Sequence, residues 1–267
     1  MIEPSPPAPC VPDRRAAPLR SILALMVREM SSRYGRSAGG FAWAIVEPLG
    51  VVLLLALGFS LLFKAPPLGT SFLLFYATAS VPFHLYQSVS VTVARALRFN
   101  GPLLRYPAVS WIDAVIARFV LNALAAIAAG VVILAGILAL QETGAVLQPE
   151  PILLATGLAA LIGLGIGVVN CLLIGRFETW DMIWSIATRP LFLASGILFT
   201  YEGLPAGVQA LLWFNPLVHV TALMRAGFYP MYAPGWASPL YAGGCGLAAL
   251  AIGLVLLRRF HEDLPER

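Results

Sequence analysis

Long runs of apolar residues constrain this chain more than any other feature of its sequence. Six stretches approach or exceed the roughly 20 residues that an α-helix needs to cross about 30 Å of hydrocarbon. The chain is 59% apolar and only 11% charged, whereas soluble domains average about 45–50% and about 25%. This composition excludes a water-soluble globule and predicts an all-α integral membrane protein. The six predicted transmembrane helices cover residues 41–63, 72–94, 112–140, 152–174, 182–201 and 239–257.

The basic residues predict the orientation, because positive side chains near the ends of spans are retained in the cytoplasm. Thirteen of the 17 lysines and arginines fall in the N-terminal segment, the second and fourth connections and the C-terminal tail. Only Lys64 and Arg225 fall on the opposite side. We therefore expect both termini in the cytoplasm, with residues 1–18 as a disordered arm, 19–258 as the membrane domain and 259–267 as a tail.

Two segments outside the six spans have apolar patterns of their own. In residues 19–34, apolar side chains follow helical spacing, and the charged residues, Glu29 among them, lie mostly on the other side. This pattern predicts an amphipathic helix in the cytoplasmic interface, with packing on a cytosolic partner as the alternative. Residues 203–230 are broken by prolines into pieces too short to span. We expect two re-entrant helices there, joined at Asn215-Pro216, which indicates a pathway because such backbone survives only beside protein or a watery cavity.

The sequence contains no catalytic or nucleotide-binding pattern. It has no G-x-x-x-x-G-K-[ST] loop, and its single lysine, Lys64, follows a phenylalanine, so we do not expect it to cradle nucleotide phosphates. Cys10, Cys171 and Cys245 are isolated, and no histidine spacing completes a zinc site. With so few charges, nucleic acid is not an expected partner. We expect no enzymatic activity, cofactor or metal in this chain.

Polar side chains within the apolar spans are the candidates for function, because they are costly in a bilayer. In the first span, Trp43 and Glu47 lie one turn apart on a stripe that faces a conduit, although an ion pair of Glu47 with an arginine such as Arg36 is equally favoured. An arginine in the fifth span suits an anionic substrate if it faces a cavity. The fifth-span candidates are Trp184, Ser185, Arg189, Phe192 and Phe199.

Other residues have structural interpretations. Arg118 has Asp113 and Asn122 nearby in sequence, which favours an internal ion pair over contact with a ligand. Trp180 lies at the cytoplasmic boundary, where aromatic residues usually anchor the chain to the interface. The spacing Gly163-x-Gly165-x-Gly167 contains the small-xxx-small pattern of closely packed membrane helices.

Two motifs carry a resemblance to a known family. The segments are Arg28-Glu29-Met30, Ser32-Arg33-Tyr34-Gly35, Phe41-Ala42-Trp43-Ala44-Ile45-Val46-Glu47-Pro48, and Trp213-Phe214-Asn215-Pro216-Leu217-Val218-His219-Val220 followed by Arg225. The first three together resemble the opening of ABC-2 type transporter permeases, and the last is similar to a stretch found in permeases of capsular polysaccharide export. Thr221-Ala222-Leu223 stands where that stretch often has a glutamate. The resemblance covers nearly the whole chain in order.

The resemblance implies a homodimer that works with two copies of a separate P-loop ATPase, which binds the ATP and Mg²⁺. The two permease chains then enclose a channel lined largely by the first and fifth spans. By the same analogy, the ATPase coupling residues are Arg95, Arg98, Asn100, Gly101, Pro102 and Arg105, with Asn100-Gly101-Pro102 as a break in the element. The cytoplasmic entrance has Arg33, Arg36 and Trp180. The periplasmic gate has Trp213, Asn215, Pro216, His219 and Arg225.

These features together indicate export of a lipid-linked acidic capsular polysaccharide across the bacterial inner membrane. A long acidic polymer needs compensating positive potential, for which Arg33, Arg36 and Arg189 are candidates; membrane topology or anionic headgroups are the alternative role of the first two. The resemblance also implies a periplasmic adaptor and an outer-membrane polysaccharide exporter as partners. The competing functions are an ABC-2 permease for O-antigen, teichoic acid or a small drug, a membrane-embedded lipid or sugar transferase, and a passive channel.

Overall fold

The computed structural model describes residues 17–34, 40–104, 109–177 and 179–260, and within them all regular secondary structure is helical. This confirms the predicted all-α class. The predicted arm and tail lie almost wholly outside these residues. The helices of the described chain are α1 (Ala17–Tyr34), α2 (Trp43–Leu62), α3 (Phe72–Ala94), α4 (Ala96–Leu104), α5 (Trp111–Leu140), α6 (Pro149–Arg176), α7 (Trp180–Ala194), α8 (Ala206–Leu212), α9 (Pro216–Ala226) and α10 (Pro239–Phe260). Short 3-10 helices precede α2 at Gly40–Ala42 and follow α7 at Tyr201–Gly203.

Four helices of the described chain, α2, α5, α6 and α10, are long and apolar enough to cross a membrane. Their ends agree with the predicted spans to within three residues. The short helices α8 and α9 form a further apolar pair, bent by 102° at Asn215, which is either a broken span or a re-entrant loop. Length and apolarity therefore give four or five candidate spans in the described residues, compared with the six predicted.

Helix α3 has the predicted boundaries, Phe72–Ala94, but is too polar to count among these four. It lies at the centre of the bundle, packed against α2, α5, α6 and α9. Polar side chains on it, such as Thr78, Ser80 and Ser90, are buried. A helix enclosed by other helices faces little lipid, so its composition does not need to match that of a lipid-facing span.

Helix α7 differs from the predicted fifth span, because it ends at Ala194 and not near residue 201. Its 15 residues extend about 22 Å, which is less than the roughly 30 Å of a bilayer core. The helix ends because Gly196 adopts φ 72°, a left-handed conformation that glycine takes without steric cost and that commonly terminates helices. The prediction of one continuous helix over 182–201 is therefore wrong.

Glycines bring α6 close to two neighbours. A Cβ atom on Gly163 or Gly167 would press on α3, at 2.9 Å from the Tyr86 carbonyl oxygen and 2.8 Å from the Val93 Cβ respectively. A Cβ atom on Gly165 would lie 2.6 Å from the carbonyl oxygen of Gly246 in α10. The predicted small-residue packing is thus confirmed, and it serves both faces of α6.

One residue, Arg95, separates α3 from α4, with φ −101° and ψ 15°. Helix α4 then continues through Asn100-Gly101-Pro102, so the break predicted there is wrong. Asn100 is buried, and its Nδ2 donates to the Ala96 carbonyl at 3.1 Å. Because Pro102 lies in the last turn, its missing N–H affects only the end of the helix.

Candidate functional site

A cavity of about 440 Å³ lies between α3 and α7. The lining residues on α7 recur every three or four positions, so they share one face of the helix. Four of the five predicted fifth-span candidates meet here, and the exception is Phe199, which lies in the turn after α7. The lining residues are Phe83, Gln87, Val91, Arg95, Asp181, Trp184, Ser185, Thr188, Arg189 and Phe192.

The cavity walls combine hydrogen-bonding groups with aromatic rings. The Ser185 hydroxyl donates to the Met182 carbonyl at 2.8 Å, which leaves its oxygen lone pairs available as acceptors. The Nε1–H of Trp184 is buried and has no acceptor among the described residues. The rings of Phe83 and Phe192 meet edge to face at 5.3 Å. Sugars, which are polar at their hydroxyls and apolar on their ring faces, suit such a surface.

An ion pair lies at the N-terminal end of α7. The Nη2 of Arg95 donates to both carboxylate oxygens of Asp181, at 3.0 and 3.1 Å. Arg95 was predicted to act in ATPase coupling, and its side chain lies against α7. Because Asp181 balances Arg95, the exposed Arg189 gives the cavity lining a net positive charge.

Arg118 of α5 pairs with Glu29 of α1. Its Nε lies 3.1 and 3.2 Å from the two oxygens of the Glu29 carboxylate, which also accepts from the Asn122 amide at 3.2 Å. Asp113 instead caps α5, where its carboxylate accepts from the Ser110 N–H at 3.0 Å. The internal ion pair predicted for Arg118 is present, with a partner that sequence reasoning had placed on the other face of α1.

The helix spacing gives a signal for Glu29 that the prediction missed. Leu25 and Glu29 are one turn apart, and both are buried, with 5% and 2% exposure. Ile22 and Met26 share this face and pack with Leu25 against Ala114 and Ala117 of α5. An acidic residue within such an apolar row indicates a buried basic partner.

Helix α4 joins the same cluster through the ring of Phe99, and the residue before the helix joins it through its carbonyl. The guanidinium groups of Arg118 and Arg28 lie 4.3 and 5.6 Å from the centre of the Phe99 ring, within the range of cation–π attraction. Arg118 Nη1 also donates to the Arg95 carbonyl at 2.9 Å. Helices α1, α4 and α5 are therefore fixed to one another.

The first-span candidates lie elsewhere on the surface. Trp43 is 58% exposed and Glu47 is also exposed, and neither lines the cavity between α3 and α7. Helix α2 buries only Pro48, Val52 and Ala56. Most of α2 therefore remains available to lipid or to another protein chain.

Two of the predicted gate residues, Asn215 and Pro216, lie at the bend between α8 and α9. The Asn215 side chain caps α9 by accepting from the Leu217 N–H at 3.0 Å, and its Nδ2 donates to the Ala194 carbonyl at the end of α7. Pro216 takes the first helical position, where its missing N–H has no cost. The bend is thus tied directly to the end of α7.

His219 is buried in an aromatic cluster. Its Nδ1 accepts from the Ser238 N–H at 3.1 Å, so the ring proton is on Nε2, which lies 2.8 Å from the Trp213 carbonyl and donates to it. The rings of Trp213, Trp236 and Tyr241 surround the imidazole at 5.3 to 5.4 Å. In this cluster His219 holds neighbouring segments together.

Arg225 is buried against the turn that follows α7. Its Nη1 and Nη2 donate to the carbonyls of Phe199 and Ile197, at 2.9 and 3.0 Å, and its guanidinium lies 4.1 Å from the centre of the Phe75 ring. Ala222, one of the three residues that stand where the resembling motif often has a glutamate, is also buried. Arg225 therefore positions the turn between α7 and α8.

Glu202, which the sequence analysis did not single out, organises the loops between α7 and α10. Its carboxylate accepts from the Trp236 Nε1–H at 2.7 Å and from the Tyr232 hydroxyl at 3.1 Å. Burial and the adjacent carboxylate raise the pKa of the Tyr232 phenol, so it stays protonated and donates this bond. The segment before α10 is thereby tied to the loop after α7.

Comparison with known proteins identifies the family. The pattern of the ABC-2 type transporter family matches residues 20–229. This chain belongs to the ABC-2 type transporter family. It is 31% identical over 246 residues, covering 92% of each chain, to the capsule polysaccharide export inner-membrane protein CtrC of Neisseria meningitidis serogroup B. It is 29% identical over 244 residues to the polysialic acid transport protein KpsM of Escherichia coli, covering 91% of this chain and 95% of that one.

A third relative is the capsule polysaccharide export inner-membrane protein BexB of Haemophilus influenzae, 27% identical over 247 residues and 92% of each chain. The resemblance to the capsular polysaccharide branch of ABC-2 permeases is therefore confirmed. CtrC and BexB are inner-membrane proteins by name, and the several apolar helices of this chain agree with that setting.

The remaining predicted residues of this ABC-2 chain have the following positions. Trp180 Nε1 donates to the Asn170 side chain at 2.8 Å, which fixes the start of α7 to α6. Arg98 is exposed on α4, next to Gly101 and Pro102 in the same helix. Arg33 belongs to α1, but its side chain is not among those described. Arg36 and Arg105 lie outside the described residues.

Proposed function

We propose that this chain is the membrane subunit of an ATP-driven exporter that moves a lipid-linked acidic capsular polysaccharide across the bacterial inner membrane. Two copies act with two copies of a separate ATPase, which binds ATP and Mg²⁺, and this chain has no catalytic role or cofactor of its own. The observation that carries the proposal is the similarity, over 92% of the chain, to proteins named for capsule polysaccharide export.

The cavity beside α7 supports an acidic cargo. Arg189 adds a positive charge to walls whose other charged pair, Arg95 and Asp181, is balanced. Its exposure keeps the guanidinium hydrated, so an acidic sugar is attracted without being trapped. The lone pairs of the exposed Ser185 hydroxyl accept hydrogen bonds from passing hydroxyl groups.

The exposed faces of α2 and α7 support a dimeric conduit. None of the residues of α7 is fully buried, and α2 buries few. When these faces of two copies approach each other, Trp43 and Glu47 of α2 and the cavity residues of α7 enclose a shared path. Polymer moves along it past aromatic and polar walls.

The proposed topology has six crossings and both termini in the cytoplasm. Helix α3 crosses inside the protein, where its polar surface is covered, and the turn after α7 completes the fifth crossing at the outer face. Helices α8 and α9 re-enter from that face, held by Asn215 and Arg225 against the end of α7. A periplasmic adaptor and an outer-membrane exporter receive the polymer beyond this point.

Energy enters at the cytoplasmic face, where the ATPase docks on α4 and contacts the exposed Arg98. Helix α1 lies beside it in the interface, with Leu19, Leu23 and Val27 exposed in one stripe toward the lipid. The entrance for the lipid-linked end of the polymer is at this level, near Arg33, Arg36 and Trp180.

Deletion of the gene tests the proposal. We expect a deletion strain to lose surface capsule while polymer accumulates in the cytoplasm, and expression of this chain to restore display. O-antigen and teichoic acid are measured in the same strains as a control. Intact capsule together with loss of another surface polymer would assign the chain to that cargo instead.

A further inference from the structure

Arg95 connects helices through both its main chain and its side chain. It is the only residue between α3 and α4. Its carbonyl accepts from Arg118 of α5 at 2.9 Å, and its guanidinium pairs with Asp181 of α7 at 3.0 Å. A displacement of α4 therefore acts directly on the residue that is bound to α7.

The contacts of Arg95 extend into a continuous polar path. From Glu29 in α1 the path passes to Arg118 in α5, then to the Arg95 carbonyl, and from the Arg95 side chain to Asp181 in α7. Every step is a hydrogen bond of 3.2 Å or less. The path joins the interface helix to the cavity wall through the junction that precedes α4.

The two ends of this path differ in strength. The Glu29 and Arg118 side chains are 3% and 10% exposed, so removal of either one would leave an uncompensated buried charge. The Arg95 and Asp181 side chains are 49% and 31% exposed, and such pairs contribute little to stability. The path is therefore fixed at α1 and α5 and releasable at α7.

We propose that Arg95 is a positioning residue that transmits movement of α4 to α7. When α4 moves, the ion pair with Asp181 draws the cytoplasmic end of α7 with it and changes the width of the cavity. This inference rests on the proposed function, in which the ATPase acts on α4. It assigns Arg95 an action within the chain, in contrast to the contact with the ATPase that the family resemblance implies.

Charge variants of the pair test this relay in the complete transporter, assembled with its ATPase. The variants are Arg95→Gln, Asp181→Asn, Arg95→Lys and the reversed pair Arg95→Asp with Asp181→Arg. Arg176→Gln is the matched control, since Arg176 is an exposed arginine at the cytoplasmic end of α6. Export is measured per membrane-inserted chain, and ATP hydrolysis is measured on the same purified complexes.

We expect Arg95→Gln and Asp181→Asn each to lower export about fivefold at nearly unchanged ATP hydrolysis, because an exposed ion pair is a weak link; this is the lower end of the roughly 5- to 150-fold range of typical coupling between sites. Arg95→Lys and the reversed pair should recover most of the export, because each restores opposite charges. Arg176→Gln should behave as the wild type. A merely structural pair would instead lower chain abundance, or export and hydrolysis together.

Normal export by Asp181→Asn, or no recovery in the reversed pair, would overturn the relay. Parallel loss of export and hydrolysis would also overturn it. Export is followed with whichever polymer the gene deletion removes from the surface. If the cargo is not a capsular polysaccharide, the proposed function is contradicted, but the comparison of these variants still tests whether Arg95 transmits movement to α7.

Discussion

Arginines in the apolar part of the molecule are accommodated in different ways, and the differences separate structure from function. Arg118 meets a buried carboxylate, Glu29. Arg225 donates to main-chain carbonyls and lies over an aromatic face. Arg189 is exposed in a cavity. At the scale of single residues, Arg189 is therefore the arginine of this group that is placed to attract an anionic ligand.

Replacing Arg189 with glutamine should lower export of an acidic polymer about fivefold, since one charge contact in a hydrated site contributes about 1 kcal/mol. Export of a neutral polymer carried by the same lipid should change much less. The measurement is surface polymer per membrane-inserted chain for the two cargoes, with Arg176→Gln as the control. Equal losses for both cargoes would show that Arg189 supports structure and not charge selection.

Sequence distance explains why the partners of these arginines were difficult to predict. Glu29 and Arg118 are 89 positions apart, and Arg225 reaches Phe199 across 26. The sequence shows that an intramembrane charge needs compensation, but only the packing of helices determines which group provides it. The short-range features were predictable, as the Asn215-Pro216 hinge shows, because they depend on local backbone chemistry.

At the scale of helices, the packing of α6 depends on glycines that differ in what surrounds them. A Cβ atom on Gly165 would lie 2.6 Å from the Gly246 carbonyl oxygen and 2.9 Å from the Leu250 nitrogen, both backbone atoms that cannot rotate away. A Cβ atom on Gly157 in the same helix would have nothing within 4 Å. The pair provides a substitution and its control within one element.

Gly165→Ala should destabilise the protein by about 1–3 kcal/mol, because α6 and α10 must separate to admit the methyl group. Gly157→Ala should be neutral or stabilising by up to about 1 kcal/mol, since alanine favours a helix more than glycine does. Thermal unfolding of the two detergent-solubilised variants measures the difference. Equal stability would mean that the close contact between α6 and α10 is absent.

The boundaries of the helices were predicted well where apolar composition determines them and poorly where it does not. The ends of α2, α5, α6 and α10 follow from the length of apolar runs. Helix α7 ends early because Gly196 takes a left-handed conformation. The mostly apolar run from 182 to 201 continues through this break, so composition alone did not indicate it. Helix α4 continues through a sequence that local propensity would break, with the buried Asn100 bonded to its first turn.

At the scale of the whole molecule, orientation and ATPase docking can be tested together. The proposed topology places Arg98 on the cytoplasmic face and Lys64 on the outer face, and both side chains are exposed. A charge reversal at each site therefore has the same chemistry on opposite sides of the membrane.

Arg98→Glu should weaken binding of the ATPase about fivefold, as expected from loss of about 1 kcal/mol at an exposed charge contact. Lys64→Glu should leave that binding unchanged, because the ATPase cannot reach the outer face. Both effects are measured as the amount of ATPase recovered with the tagged permease at a fixed amount of inserted chain. Raising the salt concentration should reduce the difference between wild type and Arg98→Glu. Loss of ATPase binding in Lys64→Glu alone would show that the orientation is the reverse of the proposed one. Unchanged ATPase recovery in both variants would show that Arg98 is not part of the docking surface, while the helical fold would stand as described.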